Sequence, residues 1–223
     1  MMHTLYGFEG SGSAAVEIAL QRCGAPFRIV RAASWEPSPG LDQLALVNPL
    51  KQIPTLQLPD DSVLSESAAI LIHLGLAFPE SGLLPGDASA RAQAIRGLVY
   101  IAANCYAAIS IVDYPERWTT DKAKAAHDHI RAGTRERLHA HWSIFADQFA
   151  AYPYLSGDTP GALDYLAAVV SKWSGARAYL KAHRPEFFAT LERIERHASV
   201  APVFARHWPH LSLIHISEPT RPY

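Results

Sequence analysis

Pro54 and its surroundings constrain this chain more than any other segment. The run is Gln52, Ile53, Pro54, Thr55, Leu56, Gln57, Leu58, then Asp60, Asp61, Ser62, Val63, Leu64, then Ser65, Glu66, Ser67, Ala68, Ala69, Ile70. Proline has no backbone N–H to give to a ladder, so within a sheet it stands at a strand start, an edge or a bulge. The apolar run 55–58 therefore reads as a short strand beginning at the proline. Asp60 and Asp61 supply a hairpin turn into a second strand, 62–64. Ser65, Glu66 and Ser67 are helix-start residues, and Ala68, Ala69, Ile70, Leu71 and Ile72 carry the helix onward. This order makes a device for gripping a ligand. With a cis bond before Pro54, the N–H and C=O of Ile53 turn outward in a tight turn, free to pair with a peptide-like molecule. The carboxylate, hydroxyls and free N–H groups at the helix start offer donors and acceptors to an amino-acid moiety.

The rest of the N-terminal third fits around this segment. Residues 3–8 read as a strand, Gly10, Ser11, Gly12 and Ser13 as a flexible turn, and 14–22 as a helix stopped by Gly24. A second strand over 26–30, a loop over 33–40 and a helix over 41–47 ending before Asn48 and Pro49 complete the order βαβαββα. Residues 79–88, with Pro79, Gly82, Pro85 and Gly86, read as a linker. Beyond it the strand signals vanish. Helices are predicted over 89–112, 121–149, 163–173, 185–197 and 201–208. The predicted fold class is α/β plus all-α: a domain over 1–78 and a helical bundle over 89–210.

Composition narrows the functional classes. A length of 223 residues allows one large domain or two small ones, and 49% apolar residues suffice for a sizeable core. A formal net charge of −1 leaves no electrostatic footprint for nucleic acid or an anionic membrane. Cys23 and Cys105 stand in no metal or redox spacing, which fits a reducing compartment. The N-terminus lacks the charged and apolar regions of a signal peptide, and no uninterrupted apolar run is read as bilayer-spanning. A soluble, cytoplasmic protein is expected.

The ordered set of Gln52, Ile53, Pro54, Glu66 and Ser67 resembles the glutathione-binding half of the cytosolic glutathione transferases, in a bacterial-type member. The βαβ unit followed by ββα is the thioredoxin-like arrangement of that family, and the resemblance covers 1–208. It implies that Ile53 makes antiparallel backbone bonds to the cysteinyl part of glutathione, with Gln52 as a further contact. Glu66 and Ser67 would hold the γ-glutamyl part. The implied activity is transfer of glutathione to a small hydrophobic electrophile, in a homodimer, with glutathione as co-substrate and no metal. The alternative is a non-catalytic binding or regulatory protein of the same fold. The family also carries a buried Asp three residues after a Ser or Thr cap. Here Asp164 matches, but the cap position falls on Gly161.

A transferase must ionise the thiol of glutathione, whose pKa near ~8.5 leaves it mostly protonated at neutral pH. A hydroxyl donating to the sulfur, aided by helix N-terminal N–H groups, does this. Ser11 in the turn is the favoured candidate; Ser13 reads as a helix cap and Tyr6 as a strand core aromatic. No cysteine sits in this turn, which argues against disulfide exchange. The electrophile is expected between the domains, near Phe8, Tyr100, Asn104, Tyr106 and Trp118. Trp35 could cover the ligand or a subunit interface. His127 with His129, and His139 with His141, lie two residues apart and so on different helix faces, unlike a helical zinc pair. Residues 211–223 resemble a translated sequencing-library adaptor and are expected to be a non-native tail.

Overall fold

In the computed structural model, which describes residues 2–209, the first half of the chain builds a small mixed sheet. The expected adaptor-like tail over 211–223 lies outside the described residues. β1 (His3–Gly7), β2 (Phe27–Arg31), β3 (Thr55–Gln57) and β4 (Val63–Leu64) stand in the order β2-β1-β3-β4. β1 runs parallel to β2, with Leu5 opposite Ile29, and antiparallel to β3, with Leu5 opposite Leu56. A parallel pair needs a crossover. Here it is α1 (Ser13–Arg22), buried from residue 13 to residue 20. The β3–β4 hairpin turns at Asp60 and Asp61: Asp60 Oδ1 accepts from the Ser62 N–H at 3.0 Å, and Asp61 takes φ 68°. Aspartate tolerates that left-handed turn position.

α2 (Pro39–Val47) begins two residues before the predicted start. Ser38 Oγ accepts from the Leu41 N–H at 3.2 Å, and Pro39 fills the first helical position. α3 (Ser67–Ala77) completes the predicted order βαβαββα. The predicted linker is packed rather than loose. Leu83 and Leu84 are buried, Arg22 Nε donates to Ser81 O at 2.7 Å, and the Ala162 N–H donates to Leu83 O at 2.9 Å.

The remaining elements are helical. α4 (Ala88–Tyr100), a six-residue π-helical segment (Ile101–Tyr106) and α5 (Ala107–Asp113) form one rod. By length and average hydropathy this rod passes the test for a bilayer-spanning helix, as a core helix also can, although Arg91, Arg96 and Asn104 interrupt its apolar run. Here it packs against α6 (Lys124–Gln148) and α7 (Ala162–Val170). α7 is the central helix, buried along its whole length. α8 (Ala176–His183) has no counterpart among the predicted helices; α9 (Pro185–Arg196) and α10 (Ala201–His207) follow. α9 buries Phe187, Thr190, Leu191 and Ile194, one stripe of an amphipathic helix.

Two buried polar arrangements hold the helices. Asp164 accepts from the backbone N–H groups of Leu155, Ser156 and Gly161 at 2.8, 3.0 and 3.0 Å. Glycine has no side chain to cap α7, so the carboxylate supplies this tie alone. Farther out, Lys172 and Arg177 share the single carboxylate of Glu195. Burial, then the Arg177 charge, holds the Lys172 ammonium below its ordinary pKa despite the pairing with Glu195.

Candidate functional site

The turn between β1 and α1 is a knot of hydroxyls. Ser11, 2% exposed, donates from Oγ to Phe8 O at 2.7 Å and lies 2.8 Å from Ser13 Oγ. The Ser13 N–H donates to Ser11 Oγ at 3.2 Å, just where α1 begins, and the N-cap position is Gly12. Ser13, expected to be the cap, instead accepts from the Phe8 N–H at 3.3 Å and reaches Phe8 O at 3.2 Å. Tyr6 lies in a small core with Ala32 and Leu44, as the strand reading expects.

Across from this turn stands the Pro54 segment. The Ile53–Pro54 bond is cis. The loop before it is braced from inside by two buried side chains. Asn48 Nδ2 donates to Gln52 O at 3.3 Å and to Thr55 Oγ1 at 2.8 Å; Thr55 Oγ1 donates to Gln52 O at 2.7 Å. This bracing sets the backbone of Gln52 and Ile53 at the surface of a cleft.

The start of α3 forms the third wall. Glu66 has φ 66° and ψ 111°, a conformation that L-residues rarely hold and that costs about 1–3 kcal/mol. Glu66, at the N-cap of α3, makes no side-chain cap bond among the described residues, which leaves first-turn N–H groups to attract an anion. Ser67 is 5% exposed, and its buried Oγ has no hydrogen-bond partner among the described residues. An unpaired hydroxyl costs stability in the fold and gains a role when a ligand brings an acceptor.

The π-helical segment and α5 close the cleft. Tyr106, at the end of that segment, stacks on Trp173 with ring centroids 5.7 Å apart. A π-helical turn often marks a functional site. A Cβ built on Gly12 would lie 2.4 Å from the Tyr106 hydroxyl and 3.4 Å from Pro54 Cδ. The α1 N-terminus, Pro54 and Tyr106 therefore converge at one point, and the absent side chain of Gly12 permits the approach.

The result is a cavity of about 350 Å³. It is lined by all six residues nominated from the sequence: Ser11, Gln52, Ile53, Pro54, Glu66 and Ser67. Ser13 and Tyr6 do not line it. Of the residues expected on the electrophile side, only Tyr106 lines it. Tyr100 packs on Phe145 and Phe149 and donates from its hydroxyl to His141 O at 3.1 Å. Asn104 donates back to Tyr100 O, Phe8 stands edge-on to Trp35, and Trp118 is 60% exposed. Sequence reasoning missed Ser34, Ser110, Asp113, Tyr114 and Arg117, which complete the wall with Trp35. The Arg117 guanidinium lies over the Tyr114 ring at 4.0 Å. Cys105 is fully buried, and burial pushes its thiol pKa far up, so it is a core residue. His139 stacks on Tyr179 at 4.4 Å, a packing role.

Known proteins share this fold. Residues 13–76 match the family described as glutathione S-transferase, N-terminal domain. The uncharacterized GST-like protein YncG of Escherichia coli (strain K12) is 29% identical over 174 residues, covering 77% of this chain and 82% of that protein. A crystal structure of a glutathione transferase homolog from Sulfitobacter with bound glutathione is 26% identical, with a TM-score of 0.79 over 91% of this chain and 96% of that one. A ternary complex of BphK, a bacterial GST, is also 26% identical, with a TM-score of 0.73 over 92% of this chain and 98% of that one. The fold is a thioredoxin-like domain followed by a helical domain, and the chain is similar to glutathione S-transferases over the residues matched.

Proposed function

We propose that this chain is a glutathione transferase that ionises the thiol of glutathione and conjugates it to a small hydrophobic electrophile. One observation carries the reading: six residues nominated from three separate stretches of sequence line a single cavity. In this reading Ile53 pairs by its backbone with the cysteinyl part of glutathione, beside Pro54 and Gln52. The γ-glutamyl carboxylate meets the α3 N-terminus and Ser67 Oγ, and Glu66 takes the α-ammonium. The sulfur then lies toward Ser11 and the start of α1. Ser11 now donates to Phe8 O, but Ser13 Oγ is 3.2 Å from the same carbonyl. When Ser11 turns its proton toward sulfur, Ser13 takes its place on Phe8. The thiolate is stabilised by that donation and by the α1 dipole. Trp35, Tyr106 and Tyr114 offer aromatic surface to the electrophile.

The reading includes a homodimer, for which Leu76 on α3 and Val99 on α4 offer exposed apolar surface, and a cytoplasmic location, where Cys23 and Cys105 stay free. The present commitment of the Ser11 proton to Phe8 favours one competing reading, a glutathione-binding protein without turnover. Steady-state conjugation of glutathione to a nitrated aryl chloride separates the two. Saturable turnover supports the transferase; glutathione binding in calorimetry without turnover supports the binding protein.

A further inference from the structure

α10 returns to the turn that carries Ser11. His207, its last residue, is 8% exposed and lies between two groups of the N-terminal half. The Gly10 N–H donates to His207 Nδ1 at 3.2 Å. His207 Nε2 lies 2.9 Å from Glu17 Oε2 on α1. An amide N–H only donates, so Nδ1 carries no proton and Nε2–H is the donor to the carboxylate. Glu17 is 4% exposed, and Arg206 pairs with its other oxygen. A buried carboxylate needs such partners. Gly10 itself takes φ 69°. A Cβ built there would lie 3.5 Å from His207 O and 3.7 Å from Trp208 Nε1. The turn is thus held on one side by Ser11 and Ser13 on Phe8, and on the other by His207 on Gly10.

We propose that His207 is a positioning residue for thiol activation: through Gly10 it fixes the place of Ser11, and Glu17 holds the imidazole tautomer able to do so. The inference rests on the transferase reading and deepens it. His207 is not among the residues lining the cavity, so it acts through the turn and not on the ligand. Thiol activation requires the donor within roughly 0.5 Å of its working position. Gly10 and Gly12 bring no side-chain packing of their own to hold that position. The imidazole supplies the missing restraint across 197 residues of chain.

Two amide substitutions separate the ring's two bonds. His207→Asn places an amide oxygen near the site of Nδ1 and keeps an acceptor for Gly10. His207→Gln places an amide nitrogen near the site of Nε2 and keeps a donor for Glu17. Arg206→Gln is the control, since it weakens the tie between α10 and α1 without touching Gly10. Each is compared with the wild type by glutathione calorimetry, ultraviolet titration of the bound thiolate and conjugation rate, well below the unfolding midpoints. His207→Asn is expected to keep kcat within about twofold, while His207→Gln lowers it about tenfold and raises the pKa of the bound thiol, with KM for glutathione little changed. Arg206→Gln is expected to lower the thermal midpoint alone. Equal thiol titrations and rates in the two His207 variants, or rates that merely follow the thermal midpoints, overturn the positioning role and leave the transferase reading standing. A wild type that binds no glutathione overturns that reading first, and the inference falls with it.

Discussion

Replacing Gly12 by alanine tests the convergence at the heart of the site. Gly12 has φ −59° and ψ −15°, which any residue adopts, so the backbone does not object. The space does: the new Cβ would stand 2.4 Å from the Tyr106 hydroxyl. Tyr106 cannot easily withdraw, because its ring stacks on Trp173, which is 5% exposed. Overpacking of this kind costs about 1–3 kcal/mol. Loss of glycine's freedom in the unfolded chain returns about 0.4–1 kcal/mol. The expected net loss is about 1–2 kcal/mol, a fall of roughly 2–8 °C in thermal midpoint for a chain of this size. Tyr106→Phe removes the colliding oxygen. The nearest atoms to the new methyl are then Tyr106 Cζ at 3.3 Å and Pro54 Cδ at 3.4 Å, tight but tolerable. Tyr106→Phe alone supplies the second single variant of the cycle. Thermal unfolding of the wild type, both single variants and the double variant closes the cycle. The double variant is expected to be more stable than the sum of the singles by at least about 1 kcal/mol. A Gly12→Ala protein as stable as the wild type, or a cycle without coupling, refutes the reasoning.

Other perturbations separate binding from folding. Ser67→Ala removes an unpaired buried hydroxyl, so the thermal midpoint is expected to hold or rise, while glutathione affinity in calorimetry falls about tenfold for the lost bond to a charged group; a drop in midpoint with unchanged affinity contradicts the assignment. Burial works to raise the Glu17 carboxyl, but the hydrogen bonds from His207 and Arg206 and the Arg206 charge hold it below its usual value. Ionised Glu17 therefore adds stability above its unfolded pKa of about 4.3, and that stability is lost as pH falls through the lower folded value. Unfolding midpoints of Glu17→Gln should trail the wild type at pH 7 and converge with it in strong acid. In the outer ion cluster, Lys172→Met is expected to change stability by less than about 1 kcal/mol, because Glu195 keeps Arg177. Arg177→Met should cost about 3 kcal/mol, since Ser171 Oγ and Ala168 O also lose their donor. Denaturant unfolding of the pair checks the order.

Local chemistry made much of the N-terminal half readable. Pro54, the Asp60 turn and the polar start of α3 are punctuation that acts within a few residues. Ser38 and Pro39 carried the same kind of signal for α2, a cap followed by a first-position proline, although the sequence reading began that helix at 41. α9 was legible from the spacing of Phe187, Leu191 and Ile194. α8 was not, because the chain breaks before it through Ser174 at φ 55° and Gly175 at φ 78°, and only eight residues follow. A serine–glycine pair marks a bend without saying what comes next. The far wall of the cavity was hidden for another reason. Tyr106 was named from the sequence, but Ser110, Asp113, Tyr114 and Arg117 were not: they follow helical spacing, and which helix face meets the α1 turn depends on how the two halves dock. The aromatics Tyr100 and Trp118, chosen by type, fell to the core and the surface. The bond from Gly10 to His207 has no local signature at all, since its partners are at opposite ends of the described chain.

The central claim is that the cavity binds glutathione and that Ser11 ionises its thiol. The most direct measurement is the ultraviolet thiolate signal of bound glutathione in the wild type and in Ser11→Ala, with affinity followed by calorimetry on the same samples. The account predicts binding by both proteins, a thiolate signal at neutral pH in the wild type, and its loss in Ser11→Ala. A signal that survives the substitution, or no binding at millimolar glutathione, would contradict it.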